Sequence, residues 1–143
     1  MVNTKQVIVV RKDLNMRKGK MIAQGSHASM AFLTSKMMSR YDNELCSDGW
    51  YEFETVDCMF SKDERDQIEH WLRNSFRKIC VYVNSEEELL AVYNAAKEKD
   101  LIAKLIEDNG ATEFNGVRTL TCCAIGPHWD NLFEGITDHL PLL

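Results

Sequence analysis

The chain has 143 residues, of which 45% are hydrophobic and 27% charged, and this length and composition predict one globular domain with a hydrophobic core. No apolar run approaches the 18 or so residues of a membrane span, and the N-terminal segment lacks the long apolar centre of a signal peptide. Five cysteines form no CxxC pair, and the four histidines stand at no zinc-ligand spacing from them. We therefore expect reduced thiols, no metal ion and a cytoplasmic location.

The net charge of −5 is unevenly distributed along the chain. Residues 1–40 hold eight Lys or Arg and one acid, a net +7, whereas residues 42–69 hold ten acids and two bases, a net −8. A basic end on an acidic protein can steer a polyanion to one place. The alternative is a basic surface that only keeps the chain solvated.

The first elements in chain order are a strand and a long helix. Gln6–Val10 is a β-branched run that predicts a buried strand, and a polar, basic loop at 11–19 follows it. The spacing of apolar residues then predicts a helix from Lys20 to about Met38. After a polar loop, the aromatic and acidic run Trp50–Phe60 predicts an edge strand.

From Ser61 onward, helices and strands alternate. Capping-box patterns at Ser61–Glu64 and Ser85–Glu88 open two predicted helices, which extend to about Asn74 and Lys99. The remaining predicted elements are strands at Lys78–Val83, Ala103–Glu107 and Arg118–Ile125 and a last helix from Pro127 to about Thr137.

This order predicts an α/β fold in a single domain over residues 1–143. Strands joined through helices favour parallel pairing, with helices covering the sheet. We therefore expect a three-layer α/β/α arrangement around a mixed, mostly parallel sheet of about four strands. The acidic segment at about 37–77 is expected to be an insertion between the first helix and the second strand.

One edge of the sheet is the expected site. Lys20, Gln24 and His27 fall within about 60° of one another on the first helix. The start of a helix favours an anion, and ligands of open α/β sheets lie beyond the carboxyl ends of the strands. Lys20 follows the first strand and Asp108 the third, so this edge is predicted to hold a phosphate or a developing oxyanion.

Several motifs, in a fixed order, resemble a known family. VIVVRKDLNMRKGKMIAQGSHASM resembles the N-terminal signature of type 2 peptidyl-tRNA hydrolases, VxVVRxDLxMxKGKxAAQxxHA, which leads into the first helix of that family. KICVYVNSEEELLAVYNAAKEKDL resembles its second strand and second helix, LIEDNGATEF its LIxDAGxTQ segment, and AIGP and TDHLPLL its final strand and tail. The likeness covers about residues 5–36 and 78–143.

The resemblance implies an enzyme that cleaves the ester joining the carboxyl end of a peptide to the ribose of tRNA and so recycles the tRNA. It implies no metal or organic cofactor and a homodimer. The functional positions of the family fall here on Lys20, Gln24, His27, Asp108 and Thr112.

Two of these residues suit ester hydrolysis, which needs an activated water and donors for the tetrahedral oxyanion. Lys20 can supply positive charge to that oxyanion or to the terminal phosphates of tRNA. Asp108 can orient or deprotonate the water. The alternatives are a solvent-exposed lysine at a helix start and the first residue of an Asp-Asn-Gly turn.

The other three positions have more open roles. Thr112 can fix the water or the ester, and Gln24 can bind the peptide carbonyl or the terminal adenosine. His27 can shuttle a proton. Each can instead be a structural residue, and the general base stays open between Asp108, His27 and a water held only by hydrogen bonds.

The basic loop supplies the predicted contacts to the tRNA backbone, namely Arg11, Lys12, Arg17 and Lys18. Ala111 and Glu113 depart from the arginine and glutamine that flank the threonine in the family, so a positive charge is lost and a negative one gained beside the expected site. The acidic insertion can shield the site, mimic nucleic acid, bind a protein partner or be a solvated surface segment. The second hypothesis is therefore a non-catalytic relative that binds tRNA or protein.

Overall fold

The computed structural model describes residues 3–43 and 60–143. Its strands are β1 (Thr4–Arg11), β2 (Lys78–Val83), β3 (Ala103–Asp108) and β4 (Thr119–Trp129). Its helices are α1 (Lys18–Asn43), α2 (Lys62–His70) and α3 (Glu86–Glu98), with short helical turns at Lys12–Leu14, Trp71–Ser75 and Asp130–Phe133. The α/β class is confirmed, whereas most of the predicted strand at Trp50–Phe60 lies outside the described residues.

The sheet is mixed, but the prediction that it is mostly parallel is wrong. The strand order is β2-β1-β4-β3, in which β1 and β2 are parallel while β4 is antiparallel to both β1 and β3. The reason is the connection at residues 109–118, which turns the chain straight back after β3 and returns it between β3 and β1. Because β4 is central and antiparallel, two of the three strand pairs, β4 with β1 and β4 with β3, are antiparallel.

Side chains of β1 alternate between two hydrophobic clusters, as the two-residue period of a strand requires. Val7 and Val9 pack in a cluster that includes Leu89 of α3. Ile8 and Val10 pack in the cluster that contains Ala28 of α1. The opposite faces of β1 are thus covered by different helices.

Helix α1 begins two residues earlier than predicted, because Met21 N–H donates to Arg17 O and closes the first turn there. The capping box at Ser61 is confirmed, since its hydroxyl accepts from Glu64 N–H while the Glu64 carboxylate accepts from Ser61 N–H. No helix in the described part of the chain is both long and apolar enough to cross a membrane.

The last predicted helix is wrong, because β4 continues through Pro127 to Trp129 and only a short 3-10 turn follows. Gly126 makes the continuation possible: its φ is +90°, and a Cβ there would lie 2.9 Å from Lys5 O of the neighbouring strand. Its N–H also donates to Ile102 O at 2.8 Å. The Gly-Pro step is therefore part of the strand rather than its end.

The continued strand carries a buried histidine, His128, whose side chain is only 2% exposed. Ile102 N–H donates to its Nε2 at 2.8 Å, and its Nδ1 lies 2.9 Å from Gln67 Oε1. This pattern fits a neutral ring with the proton on Nδ1. Burial lowers the pKa of His128 from 6.5 to about 4.

The buried ring makes folding stability depend on pH. The unfolded chain binds a proton at this histidine below about pH 6.5, whereas the folded protein does not until about pH 4. Stability is therefore fully present above pH 6.5 and falls as the pH drops from 6.5 to 4, by about 3 kcal/mol from this residue. Urea unfolding across that range, with His128→Gln as the control, measures the effect. Parallel pH curves for the two proteins would contradict it.

Candidate active site

A lysine and an aspartate from distant parts of the chain meet beyond the end of β3. Lys20 lies in the first turn of α1, and its Nζ is 2.7 Å from Oδ1 of Asp108, the last residue of β3. The same Nζ lies 3.0 Å from Thr112 Oγ1. The side chains of Lys20 and Asp108 are 12% and 11% exposed, so the pair is mostly shielded but still reached by solvent.

Three donors hold the Asp108 carboxylate. Besides Lys20, Gln24 Nε2 donates to Oδ1 at 3.1 Å and Gly110 N–H donates to Oδ2 at 2.9 Å. The hydrogen bond from Lys20, followed by those of Gly110 and Gln24, lowers the pKa of Asp108, although partial burial opposes the shift. The carboxylate is therefore ionised at neutral pH.

Gly110 is required at this turn by its surroundings. Its φ is +80°, and a Cβ at this position would lie 2.2 Å from Val117 O. The glycine thus allows the chain to fold back tightly while its N–H points at the Asp108 carboxylate.

Thr121, on β4, is a site residue that the sequence interpretation missed. Its side chain is fully buried, and its hydroxyl donates to Gln24 Oε1 at 2.6 Å. Because the amide oxygen accepts from Thr121, the amide nitrogen is the end that faces Asp108. The only signal in the sequence was a threonine inside an apolar strand, which is too common to indicate a site.

His27 does not join this cluster. It is exposed, and it makes no hydrogen bond to any residue in the described ranges. It lies seven residues after Lys20, which is about 10 Å along the helix axis. The structure therefore brings together Lys20, Gln24, Asp108 and Thr112, but not His27.

The basic residues before α1 differ in their surroundings. Arg11 is 11% exposed and pairs with Asp13 and Glu86 at 2.7 and 3.0 Å, and its pKa is raised chiefly by the hydrogen bond to Asp13. Lys12 lies over the Tyr82 ring, 4.2 Å from its centroid. Arg17 and Lys18 are exposed and precede Lys20 by three and two residues in the chain.

The negative charge gained at Glu113 is balanced by Arg17. Arg17 Nε donates to Glu113 Oε1 at 2.8 Å, and the backbone N–H of Arg17 donates to Oε2 at 3.3 Å. The hydrogen bond from the guanidinium lowers the pKa of Glu113. The pair links the basic loop to the loop that carries Thr112, while the Arg17 side chain stays 81% exposed.

This arrangement suits hydrolysis. An ammonium group next to an ionised carboxylate can stabilise an oxyanion while the carboxylate holds a water by hydrogen bonding. Within residues 3–43 and 60–143, no group of three His, Cys, Asp or Glu side chains is placed to hold a metal ion.

Comparisons with known proteins place this α/β chain in a family of hydrolases. The family model described as peptidyl-tRNA hydrolase PTH2 matches residues 4–143. The chain is 39% identical over 140 residues to the peptidyl-tRNA hydrolase of Methanocaldococcus jannaschii, covering 97% of this chain and 99% of that protein. It is 36% identical over 139 residues to the peptidyl-tRNA hydrolases of Methanothermobacter thermautotrophicus and Saccharolobus solfataricus, covering 97% of this chain and 99% and 98% of those proteins. The chain belongs to the peptidyl-tRNA hydrolase PTH2 family.

The buried hydrogen bond of Thr121 predicts a stability cost on its removal. Thr121→Val leaves Gln24 Oε1 buried without a donor, which costs about 1–3 kcal/mol of unfolding free energy. Urea unfolding measures it. Thr119→Val on the same strand is the matched control, because its hydroxyl only donates to Val117 O. Equal losses in the two variants would contradict the assignment.

Proposed function

We propose that this protein hydrolyses the ester bond between peptide and tRNA in peptidyl-tRNA and so recycles the tRNA. The single observation that carries the proposal is the 2.7 Å contact between Lys20 Nζ and Asp108 Oδ1 beyond the end of β3, in a chain of this family. The catalytic roles of Lys20, Asp108 and Thr112, and a substrate-binding role of Gln24, are parts of this proposal.

The proposed reaction begins with attack of a water on the ester carbonyl carbon. Lys20 Nζ neutralises the oxyanion that forms, and the Thr112 hydroxyl, 3.0 Å from that amine, fixes the ester. Collapse of the intermediate breaks the bond to the ribose oxygen. The water supplies one proton to that oxygen and its hydroxyl to the peptide, so the products are a peptide acid and a tRNA with a free ribose hydroxyl.

Asp108 is better suited to orienting the water than to removing its proton completely. Its lowered pKa makes it a weak base, yet Oδ2 accepts only from Gly110 N–H within the described residues and can accept from a water as well. His27 makes no hydrogen bond to Lys20 or Asp108, so its predicted role in proton transfer has no support from the geometry.

The alternative, a non-catalytic relative that binds tRNA or protein, is not favoured. A non-catalytic relative would not need the amine or the carboxylate of the site. This chain keeps both groups, and they are in contact with each other. The relatives it matches over 97% of its length are named as hydrolases.

The finer predictions extend the proposal. We infer contacts of tRNA with Arg17 and Lys18, which are exposed, and with Lys12 and the more enclosed Arg11. A single domain over residues 1–143, a homodimer, a protein partner for the acidic insertion at about 37–77 and a cytoplasmic location stay predictions.

Activity should depend on both members of the charge pair. We expect Lys20→Ala and Asp108→Asn each to lower kcat for a blocked aminoacyl-tRNA by about a hundredfold or more, because each loses an electrostatic contact to the transition state. Release of the blocked amino acid measures the rate, and circular dichroism checks folding. Lys62→Ala, at an exposed position of helix α2, is the matched control. Rates within threefold of wild type in either site variant would contradict the mechanism, and an inactive wild type that still binds tRNA would support the alternative.

Binding of tRNA should weaken steeply with salt. Each lysine that neutralises a phosphate adds about 0.7–0.9 to the slope of log affinity against log salt, so Lys18→Gln should lower that slope by about this amount. Arg17→Gln should weaken binding further, because it also leaves Glu113 unbalanced. Filter binding with deacylated tRNA at several salt concentrations measures both. An unchanged slope would mean that the basic loop does not contact the tRNA backbone.

A further inference from the structure

Three lysines from three elements line a small pocket away from the site. Lys36 comes from α1, Lys97 from α3 and Lys104 from β3, and the cavity between them has a volume of about 190 Å³. Phe32, Phe60 and Ile102 supply apolar lining. We call this cavity the lysine pocket.

The ammonium groups of Lys36 and Lys97 lie close enough to that of Lys104 to repel it. None of the three ammonium groups has a carboxylate of the described ranges within ion-pair distance. Lys104 is half-buried, and its pKa is lowered by burial first and then by Lys36 and Lys97. An anion that enters would relieve this repulsion.

Two acids also line the pocket, and they differ in how far their carboxylates are already engaged in other hydrogen bonds. The Glu64 carboxylate accepts from Ser61 N–H at 2.8 Å as part of the helix cap, which occupies one of its oxygens. Asp100 is exposed at the start of the loop that precedes β3. Among the lining residues that the structure describes, three cations against two acids leave a net positive charge, on a chain whose net charge is −5.

Two of the three lysines, Lys36 and Lys104, lie on the same side of the sheet as the candidate active site, while Lys97 comes from α3 on the other side. Lys104 and Asp108 are four residues apart on β3 and so point to the same face, about 13 Å apart along the strand. Helix α1 passes both places, since it carries Lys20 at one end and Lys36 further along. A polynucleotide with its end at Asp108 can therefore reach the pocket with a nearby part of its backbone.

We propose that the lysine pocket binds a backbone phosphate of the tRNA whose ester lies at Lys20 and Asp108. The proposal rests on the proposed function, because that function supplies the polyanion. A cavity of this size has room for one phosphate group between the three amines. Contacts of lysine with phosphate position a nucleic acid without reading its sequence, which suits an enzyme that acts on many tRNAs.

The test uses deacylated tRNA and the full-length chain. We expect Lys104→Gln and Lys97→Gln each to weaken tRNA binding by about three- to tenfold near 0.1 M salt, and to lower the slope of log affinity against log salt by about 0.7–0.9. Lys62→Gln removes the same charge from an exposed, ion-paired position on α2 and should change neither quantity. Lys104→Gln and Lys97→Gln variants that bind tRNA as Lys62→Gln does would overturn the proposal.

A variant that removes a negative charge, instead of a positive one, separates an effect of charge from structural damage. Asp100 has a φ of +56°, a conformation that asparagine also adopts, so Asp100→Asn removes a negative charge with little strain. We expect it to strengthen tRNA binding by about two- to fivefold. Weaker or unchanged binding in this variant would count against a phosphate in the pocket.

A free phosphate is the other source of the same chemistry. Calorimetric titration with inorganic phosphate, in wild type and Lys104→Gln, tests it directly. If phosphate binds only the wild type while both proteins bind tRNA equally, the pocket takes a free phosphate and the assignment to tRNA is overturned. Failure of the proposed function would look different, because it would remove hydrolysis and leave the effect of Lys104 on tRNA binding in place.

Discussion

The site depends on the Asp108 carboxylate being held ionised in a place that is mostly shielded from water. A shielded carboxylate is costly unless donors surround it, and here Lys20, Gln24 and Gly110 each supply one. Two of these donors come from α1 and the third from the turn after β3. The carboxylate thus requires α1 to lie across the end of β3, and this requirement links the fold to the chemistry.

The support for these donors extends into the core. Thr121 fixes the Gln24 amide from β4, and Cys122, next to it, contacts Gln24 O through its Sγ at 3.4 Å. β4 can reach α1 in this way because it is a central strand, antiparallel to both neighbours. The central, antiparallel position of β4, which the prediction of a mostly parallel sheet missed, therefore also supports the site.

The departure of Glu113 from the family pattern has a local compensation. Glu113 places a carboxylate near the site, and Arg17 balances it through two hydrogen bonds. The pair also joins two segments of the site. One is the basic loop that leads into Lys20, and the other is the loop after β3 that carries Thr112. Together with the lysine pocket, the site gives an acidic protein a face along α1 and β3 on which cations gather.

The sequence by itself determined the local elements and most of the site's members. Capping boxes, β-branched runs and an apolar helical stripe are local patterns, so they predicted β1, β2, α3 and the start of α2 to within about two residues. The family motif indicated Lys20, Gln24, Asp108 and Thr112, which the fold brings together. The tertiary structure alone decided the antiparallel position of β4, the buried Thr121, the separation of His27 and the meeting of Lys36, Lys97 and Lys104. Those features depend on contacts between segments far apart in the chain, for which a local pattern holds no information.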